Sequence, residues 1–332
     1  MSSPLRAAAV RLFVFVTSML SFAPLAAYGQ AAVDYPSKPV RIISPFAPGG
    51  MNDFLSRLVG QKLSEIWKQP VVVENRGGSG GTIGVDVCAK SPPDGYTIAL
   101  GGSSMLAIAP SLYSNLPYNT LRDLAPIISI AVTPYVVATN PYVPVRNVKE
   151  LISLARSKKS LTYGSSGVGS MSHLAAELLK ADARLDIVHV PYRGTAPAVT
   201  AMISGEVDMM IADLDIVSPH AKAGKLRLLA VTGAKRSALA PQLPTMQEEG
   251  LAGYVAEGKF GFVAPAGTPK EIVAKLNGAI AQVLKTSDVQ QRLQRVGAEP
   301  MGDTPEQYAA ALKADIASYK RIIERAKIKA EQ

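Results

Sequence analysis

Cysteine is almost absent from this chain, since Cys88 is the only one among its 332 residues. A single cysteine excludes an internal disulfide, and with it the disulfide-stapled class of small secreted modules. An exported protein with so little cysteine fits a bacterial periplasm better than an extracellular scaffold. Cys88 itself lies in an apolar segment with helical character, which predicts a buried structural thiol and not a nucleophile.

Aromatic residues are also scarce, at 6% of the chain, and no cluster of lysine and arginine is interleaved with them. The formal net charge is nevertheless +9, which directs attention to nucleic acid, membrane surfaces and small anions as partners. The missing basic and aromatic pattern argues against nucleic acid. A small anionic solute is the partner that the charge favours.

Motifs for metals and nucleotide cofactors are missing as well. The chain contains neither a phosphate-binding P-loop nor the dinucleotide motif G-x-G-x-x-G. Its histidines are His173, His189 and His220, and His173 has an acid, Glu177, at the i, i+4 spacing of a helical metal pair. One such pair without further ligands predicts an ordinary helix face, so we expect neither a metal nor a cofactor.

Long apolar runs are confined to the start of the chain. Arg6 and Arg11 flank the beginning of an apolar core, and small residues at Gly29 and Ala31 follow it. This order is typical of a secretory signal peptide, predicted over residues 1–31 with cleavage after Gly29 or Ala31. No later segment approaches the ~20 uninterrupted apolar residues of a membrane span, so the mature protein is expected in the periplasm.

Beyond the leader, strand-like and helix-like runs alternate, which predicts an α/β fold with largely parallel sheets. Several strand candidates are continuous apolar runs, as expected where helices cover both faces of a sheet. The candidates are residues 71–73, 96–100, 127–130, 136–138, 187–190, 209–211 and 226–231. Thr268 and Thr304, each followed by a proline and an acid, are predicted to cap the helices that they precede.

Two glycine-rich loops are the features most informative about function. One covers residues 45–53 before a helix predicted over 54–67, and the other covers 164–170 before a helix predicted over 173–180. A helix N-terminus presents unpaired N–H groups and partial positive charge, which predicts a small anion held between two halves of the chain. Asp53 is interpreted as a cap for the first helix, with fixing the loop as the alternative.

A third glycine loop, residues 77–84, contains the pattern G-x-S-x-G with Ser79 in the position of a hydrolase nucleophile. Segments so dense in glycine match this pattern by chance, and a true nucleophile needs partners elsewhere in the chain. A secreted serine hydrolase using Ser79 or Ser166 is therefore kept as the alternative to a binding protein.

A series of short motifs runs along the mature chain in a fixed order. They are PFAPGG at 45–50 with Asp53 and Arg57, VENR at 73–76, PDGYT at 93–97, YGSSG at 163–167 with His173, VPYRG at 190–194, GKLR at 224–227 and PTM at 244–246. This ordered set resembles the Bug family of solute-binding proteins, the periplasmic receptors of tripartite tricarboxylate transporters. The resemblance covers residues from about 35 to the C-terminal helix.

The resemblance implies an α/β, two-lobed periplasmic binding protein of type II-like architecture, with its ligand cleft between the lobes. Lobe 1 is predicted to comprise residues 32–131 and 256–332, and lobe 2 residues 132–255. The implied ligand-binding residues are Phe46, Gly49, Gly50, Met51, Asn52, Asp53, Gly102, Ser103, Ser104, Ser165, Ser166, Gly169, Tyr192, Ala212 and Asp213.

The same resemblance implies a receptor without catalytic residues. We expect a monomer that captures a small carboxylate by closing its lobes and delivers it to membrane transporter subunits. A ligand sensor for a membrane signalling partner is the alternative partner assignment, because both roles need the same closed shape.

Asp213 departs from the family pattern, in which this position often carries asparagine or threonine. A carboxylate at this position repels a second ligand carboxylate and accepts a hydrogen bond from an amine or hydroxyl. We therefore expect a ligand with one carboxylate and one donor group, and not a tricarboxylate.

Overall fold

The computed structural model describes residues 35–157 and 161–328, and the predicted signal peptide lies outside the described residues. The strands are β1 (Val40–Ser44), β2 (Val71–Asn75), β3 (Thr97–Gly102), β4 (Leu124–Thr139), β5 (Thr162–Ser165), β6 (Val188–Pro191), β7 (Met209–Asp213), β8 (Arg227–Val231), β9 (Glu257–Pro265) and β10 (Glu299–Pro300).

Helices separate most of these strands. They are α1 (Met51–Trp67), α2 (Thr82–Ala89), α3 (Ala109–Leu112), α4 (Thr120–Asp123), α5 (Val148–Ser157), α6 (Met171–Ala183), α7 (Thr195–Ser204), α8 (Leu214–Lys222), α9 (Lys270–Leu284), α10 (Ser287–Arg295) and α11 (Pro305–Ala326). A 3-10 turn at Ser79–Gly81 precedes α2, and a π-helix at Ser104–Ile108 precedes α3.

A single mixed sheet connects the strands in the order β2-β1-β3-β9-β4-β7-β5-β6, and β8 and β10 pair with β4 as well. β1, β2 and β3 are parallel to one another, and so are β5, β6 and β7. The pairs β3–β9, β9–β4 and β4–β7 between these two groups are antiparallel. The prediction of largely parallel sheets is therefore wrong at the centre, where β9 returns between β3 and β4.

β4 joins the two parallel groups. Between Leu124 and Pro134 it pairs with β9, and from Tyr135 to Thr139 it pairs with β7. The prediction of two separate strands over 127–130 and 136–138 is wrong, because one backbone partner replaces the other without a gap. The predicted lobe boundary after residue 131 falls close to this changeover and stays a prediction.

Apolar cores lie on both sides of the changeover. Phe262 of β9 is fully buried among residues of β1, β3, α1 and α9, and Tyr163 of β5 is fully buried among residues of α5, α6 and β7. Helix α11 contributes to both sides, since Tyr308 packs near β1 and β9 while Tyr319 packs in the core around Tyr163. From Tyr35 onward the chain forms one compact unit.

Cys88 on α2 is fully buried, and burial raises the pKa of its thiol to about 12. The prediction of a structural thiol is confirmed. Within the part of the chain that the structure describes, every helix is too short or too polar for a bilayer span.

Candidate functional site

The carboxyl ends of both parallel groups meet at the middle of β4. Gly102, the last residue of β3, pairs with Phe260, which pairs with Ala131 of β4. Asp213, the last residue of β7, pairs with Tyr135 of β4. Ala131 and Tyr135 are four residues apart, or about 13 Å along a strand. Loops at the carboxyl ends of parallel strands are where open α/β sheets bind ligands.

We call the segments at this meeting point the central loops. They are residues 45–53 after β1, 102–104 after β3, 165–170 after β5 and 212–215 after β7. Every predicted site residue except Tyr192 lies in one of them.

Helix α1 presents its N-terminus to the central loops. It begins at Met51 and not at the predicted residue 54, with Gly50 extended at the N-cap (φ −91°). No side chain among the described residues caps its first turn. Apart from chain neighbours, no described heavy atom lies within 4 Å of a Cβ built at Gly49 or Gly50. The start of α1 therefore combines uncapped N–H groups with open space beside the loop, which suits an anion.

Asp53 holds the shape of this first loop. Its carboxylate accepts hydrogen bonds from the Gly49 amide (3.0 Å), the Asn75 side chain (2.9 Å) and the Arg57 guanidinium (3.1 Å). Burial alone raises the pKa of Asp53, but these hydrogen bonds outweigh burial and lower it below the usual value. The capping interpretation is wrong, because α1 starts earlier and Asp53 already lies inside its first turn. Asn75 also donates to the carbonyl oxygen of Phe46 at 2.9 Å.

The third glycine loop packs against the first. A Cβ at Gly84 would lie 2.8 Å from both the Arg76 carbonyl oxygen and the Cα of Pro45, so only glycine fits there. Ser79 sits in the 3-10 turn with φ +46°, and within the described residues its hydroxyl makes no hydrogen bond to a histidine. Within the G-x-S-x-G pattern itself, a Cβ at Gly81 would lie 3.1 Å from the ring of Phe46, so close packing against the first loop accounts for this glycine.

A buried serine and two stacked histidines support the second loop. The Oγ of Ser165 lies 2.7 Å from Nε2 of His189 and accepts from the Gly167 amide at 3.1 Å. The rings of His189 and His173 stack with centroids 4.2 Å apart, and Nδ1 of His173 accepts from the Gly169 amide at 3.2 Å. Burial lowers the pKa of each histidine to about 4, so both are neutral near pH 7.

His173 and Glu177, which have the spacing of a helical metal pair, belong to two separate networks. Glu177 accepts from the hydroxyl of Tyr163 (2.6 Å) and from the ammonium of Lys180 (2.7 Å), while His173 bonds to the loop backbone. Across residues 35–157 and 161–328, no group of three histidine, cysteine, aspartate or glutamate side chains is arranged to hold a metal.

Helix α6 also follows the carboxyl end of a parallel strand, β5. It begins at Met171, where the prediction was 173, and the hydroxyl of Ser170 caps it. Gly169 has φ +77°, and a side chain there would collide with Leu112 of α3. The hydroxyl of Tyr319 on α11 lies 3.6 Å from the sulfur of Met171. The second loop is thus in contact with elements that come from both ends of the chain.

Several hydroxyl groups of the predicted site already form hydrogen bonds to other groups of the protein. Ser103 Oγ accepts from the amide of Lys259 at 3.0 Å, and Ser166 Oγ lies 3.0 Å from Ser172 Oγ. The hydroxyl of Tyr192 donates to Glu206 at 2.8 Å, and burial together with that carboxylate raises its pKa to about 12.

The remaining predicted residues differ in access. Ala212 is fully buried inside β7, whereas Ser104 and Asp213 are partly buried. Asp213 accepts from the Tyr135 hydroxyl; burial and the neighbouring Asp215 nevertheless raise its pKa to about 7. Ligand contact by these residues stays a prediction.

Sequence reasoning missed several residues that position the loops. Each of these residues forms a hydrogen bond to a central loop from another element; they are Asn75, Tyr135, His189 and Lys259. The VENR motif contained a signal for Asn75. Nothing local marked the other three, because their partners come from strand register.

Comparison with known proteins identifies the family. Residues 55–328 match the model of TctC, the tripartite tricarboxylate transporter family receptor. The chain belongs to this receptor family. BugT of Bordetella pertussis is 35% identical to this receptor over 315 residues, covering 94% of this chain and 96% of BugT. The expected relationship to Bug proteins is confirmed, and the family is one of solute-binding receptors.

Solved structures agree with the fold. R. palustris Rpa4515 with adipate has a TM-score of 0.83 and 37% identity, covering 89% of this receptor and 99% of that chain. MatC from Rhodopseudomonas palustris with bound malate has a TM-score of 0.78 and 31% identity, covering 87% and 100%. The two-lobed periplasmic binding-protein fold expected from the sequence is confirmed.

Proposed function

We propose that this receptor captures a small carboxylate at the central loops in the periplasm and delivers it to the membrane subunits of a tripartite transporter. The observation that carries the proposal is that two helices follow the carboxyl ends of parallel strands, α1 from Met51 and α6 from Met171, in the two strand groups that β4 joins. The uncapped amides of α1 offer neutral donors and partial positive charge to a carboxylate.

Neutral donors are favoured because two cations beside the central loops are already paired within the protein. Arg57 forms an ion pair with Asp53 at 2.9 Å, and Lys259 forms one with Asp315 at 2.7 Å. A carboxylate held by backbone amides and hydroxyls needs no buried formal charge. The adipate and malate in the structures of Rpa4515 and MatC support a carboxylate ligand.

Closure about β4 is the motion that we propose for capture. The chain passes between the two predicted lobes near Tyr135 and again near Ala256, and these two segments lie side by side because Thr232 bonds to both of them. Its hydroxyl donates to the Ala256 carbonyl at 2.6 Å and accepts from the Tyr135 amide at 3.1 Å, and its own amide donates to the Tyr135 carbonyl at 2.9 Å. Two adjacent extended segments are a natural hinge, and ligand contacts made on both sides shift the equilibrium to the closed state.

A serine hydrolase is the second candidate, because Ser165 lies 2.7 Å from His189. The pair involves neither Ser79 nor Ser166, the two serines that the sequence offers as nucleophiles of a hydrolase. Ser165 is fully buried and already bonds to the Gly167 backbone, and no described carboxylate hydrogen-bonds to His189. These contacts support a loop brace better than a nucleophile with an oriented base.

Thermal unfolding of refolded, ligand-free mature protein tests the proposed function. The panel holds mono-, di- and tricarboxylates, each matched with its uncharged amide as the control. A true ligand raises stability by about 2.7 kcal/mol at a hundredfold excess over Kd. A shift with acids alone, and no ester turnover by the wild type or the Ser165→Ala variant, supports a carboxylate receptor. No shift with any acid contradicts it.

A further inference from the structure

Asp213 occupies a decisive position among the central loops. It ends β7 opposite Tyr135, at the point where β4 changes partners from β9 to β7. Its side chain is partly buried and accepts hydrogen bonds from the Tyr135 hydroxyl and from its own backbone amide. A carboxylate has about four acceptor positions, so acceptor capacity remains for a ligand.

The groups around Asp213 are acidic or phenolic. Asp215 follows in the first turn of α8, Tyr135 faces it from β4, and Tyr319 of α11 lies beyond Tyr135. The acids next to Tyr319 are Asp315 and Glu257, and the ammonium of Lys259 is paired with Asp315 at 2.7 Å. Among the described residues, no lysine or arginine lowers the pKa of Asp213 or Asp215.

Two ionised carboxylates do not share such a place without a cation, whereas a carboxylic acid and a carboxylate share a strong hydrogen bond. We propose that Asp213 makes this receptor select a ligand whose second polar group donates a hydrogen bond, and that a dicarboxylate binds only together with one proton. The inference rests on the proposed function, because it places Asp213 beside the second polar group of a ligand whose first carboxylate is held at α1.

Proton exchange on binding follows from this assignment. Burial and Asp215 raise the pKa of free Asp213 to about 7, so it is mostly ionised at pH 8 and mostly protonated at pH 6. A dicarboxylate bound at pH 8 then takes up about 0.9 proton, and a ligand with a terminal ammonium bound at pH 6 releases about 0.9 proton. The two ligand classes are distinguished by opposite signs.

Isothermal titration calorimetry in buffers of different ionisation enthalpy measures this exchange directly. Succinate and adipate are the dicarboxylate probes, and 4-aminobutyrate, which has one carboxylate and a terminal ammonium, is the amino-acid probe. We expect proton uptake with any dicarboxylate that binds at pH 8, and release when 4-aminobutyrate binds at pH 6. Above pH 8, dicarboxylate affinity falls about tenfold per pH unit.

The variant Asp213→Asn removes the titrating group, so dicarboxylate binding becomes independent of pH and exchanges no proton. Asp186→Asn is the matched control, since Asp186 is exposed and lies just before the amino end of β6, whereas the central loops lie at the carboxyl ends of their strands. Dicarboxylate binding without proton uptake by the wild type overturns the inference and leaves the proposed function intact. Absence of binding by every carboxylate in the thermal panel overturns both.

Discussion

Gly50→Ala separates the role of the first loop in binding from its role in folding. Gly50 is extended, with φ −91° and ψ 177°, which alanine adopts without strain. Apart from chain neighbours, nothing described lies within 4 Å of its added Cβ. The methyl group therefore meets no protein atom and occupies only the space beside the uncapped start of α1.

The expected change in folding stability is close to zero. Alanine is a poorer N-cap than glycine by about 0.5–1 kcal/mol. It also lowers the conformational entropy of the unfolded chain, which stabilises the folded state by about 0.4–1 kcal/mol. The expected change in ligand affinity is large, because the methyl group keeps a ligand oxygen away from the first-turn amides. Loss of one charge-assisted hydrogen bond, about 1.5–3 kcal/mol, weakens Kd about 10- to 150-fold.

Urea denaturation and calorimetric titration with the ligand found in the thermal panel give the two numbers. Gly278→Ala is the matched control: this glycine lies inside α9, and its Cβ also meets nothing within 4 Å. We expect it to raise stability by about 1 kcal/mol and leave Kd unchanged. Wild-type affinity in Gly50→Ala would refute the placement of the ligand against this loop.

Three further outcomes follow from the loop contacts. Asp53→Ala removes the acceptor of the Gly49 amide, so urea denaturation is expected to show a loss of about 2–3 kcal/mol; an unchanged midpoint would contradict the bracing role. The free energy of unfolding is expected to fall as the pH drops from about 6.5 to about 4, because the unfolded chain binds protons that the buried rings of His173 and His189 do not. Each histidine contributes at most about 1.4 kcal/mol per pH unit. Glutamine at both positions flattens this dependence of Tm on pH, and an equal slope would show that other groups cause it. Gly84→Ala forces the third loop away from Pro45 and is expected to lower stability by about 1–3 kcal/mol, whereas wild-type Tm would show that the loops yield freely.

Local sequence patterns determined the elements that depend on neighbours in the chain. The apolar runs in the middle of the sheet became buried strands, whereas the edge strands β2 and β6 expose Val72 and Val188. Thr304 caps α11 with a reciprocal bond from Gln307. The same reasoning was wrong at Thr268, whose hydroxyl donates to the Pro265 carbonyl while the helix starts at Lys270. A capping motif provides a side chain that can cap the helix, but the path of the preceding strand decides which hydrogen bond that side chain makes.

The sequence by itself thus determined the α/β class, the glycine loops at helix starts and the family to which the chain belongs. Tertiary structure alone decided that β4 is continuous, that Asp53 braces a loop, and that Asp213 pairs with Tyr135 across two strands. The physical reason is separation along the chain: Ser165 and His189 are 24 residues apart, and Tyr135 and Asp213 come from different strands. Hydrogen bonding, burial and the pKa values that follow from them depend on such distant partners, and no local pattern encodes these.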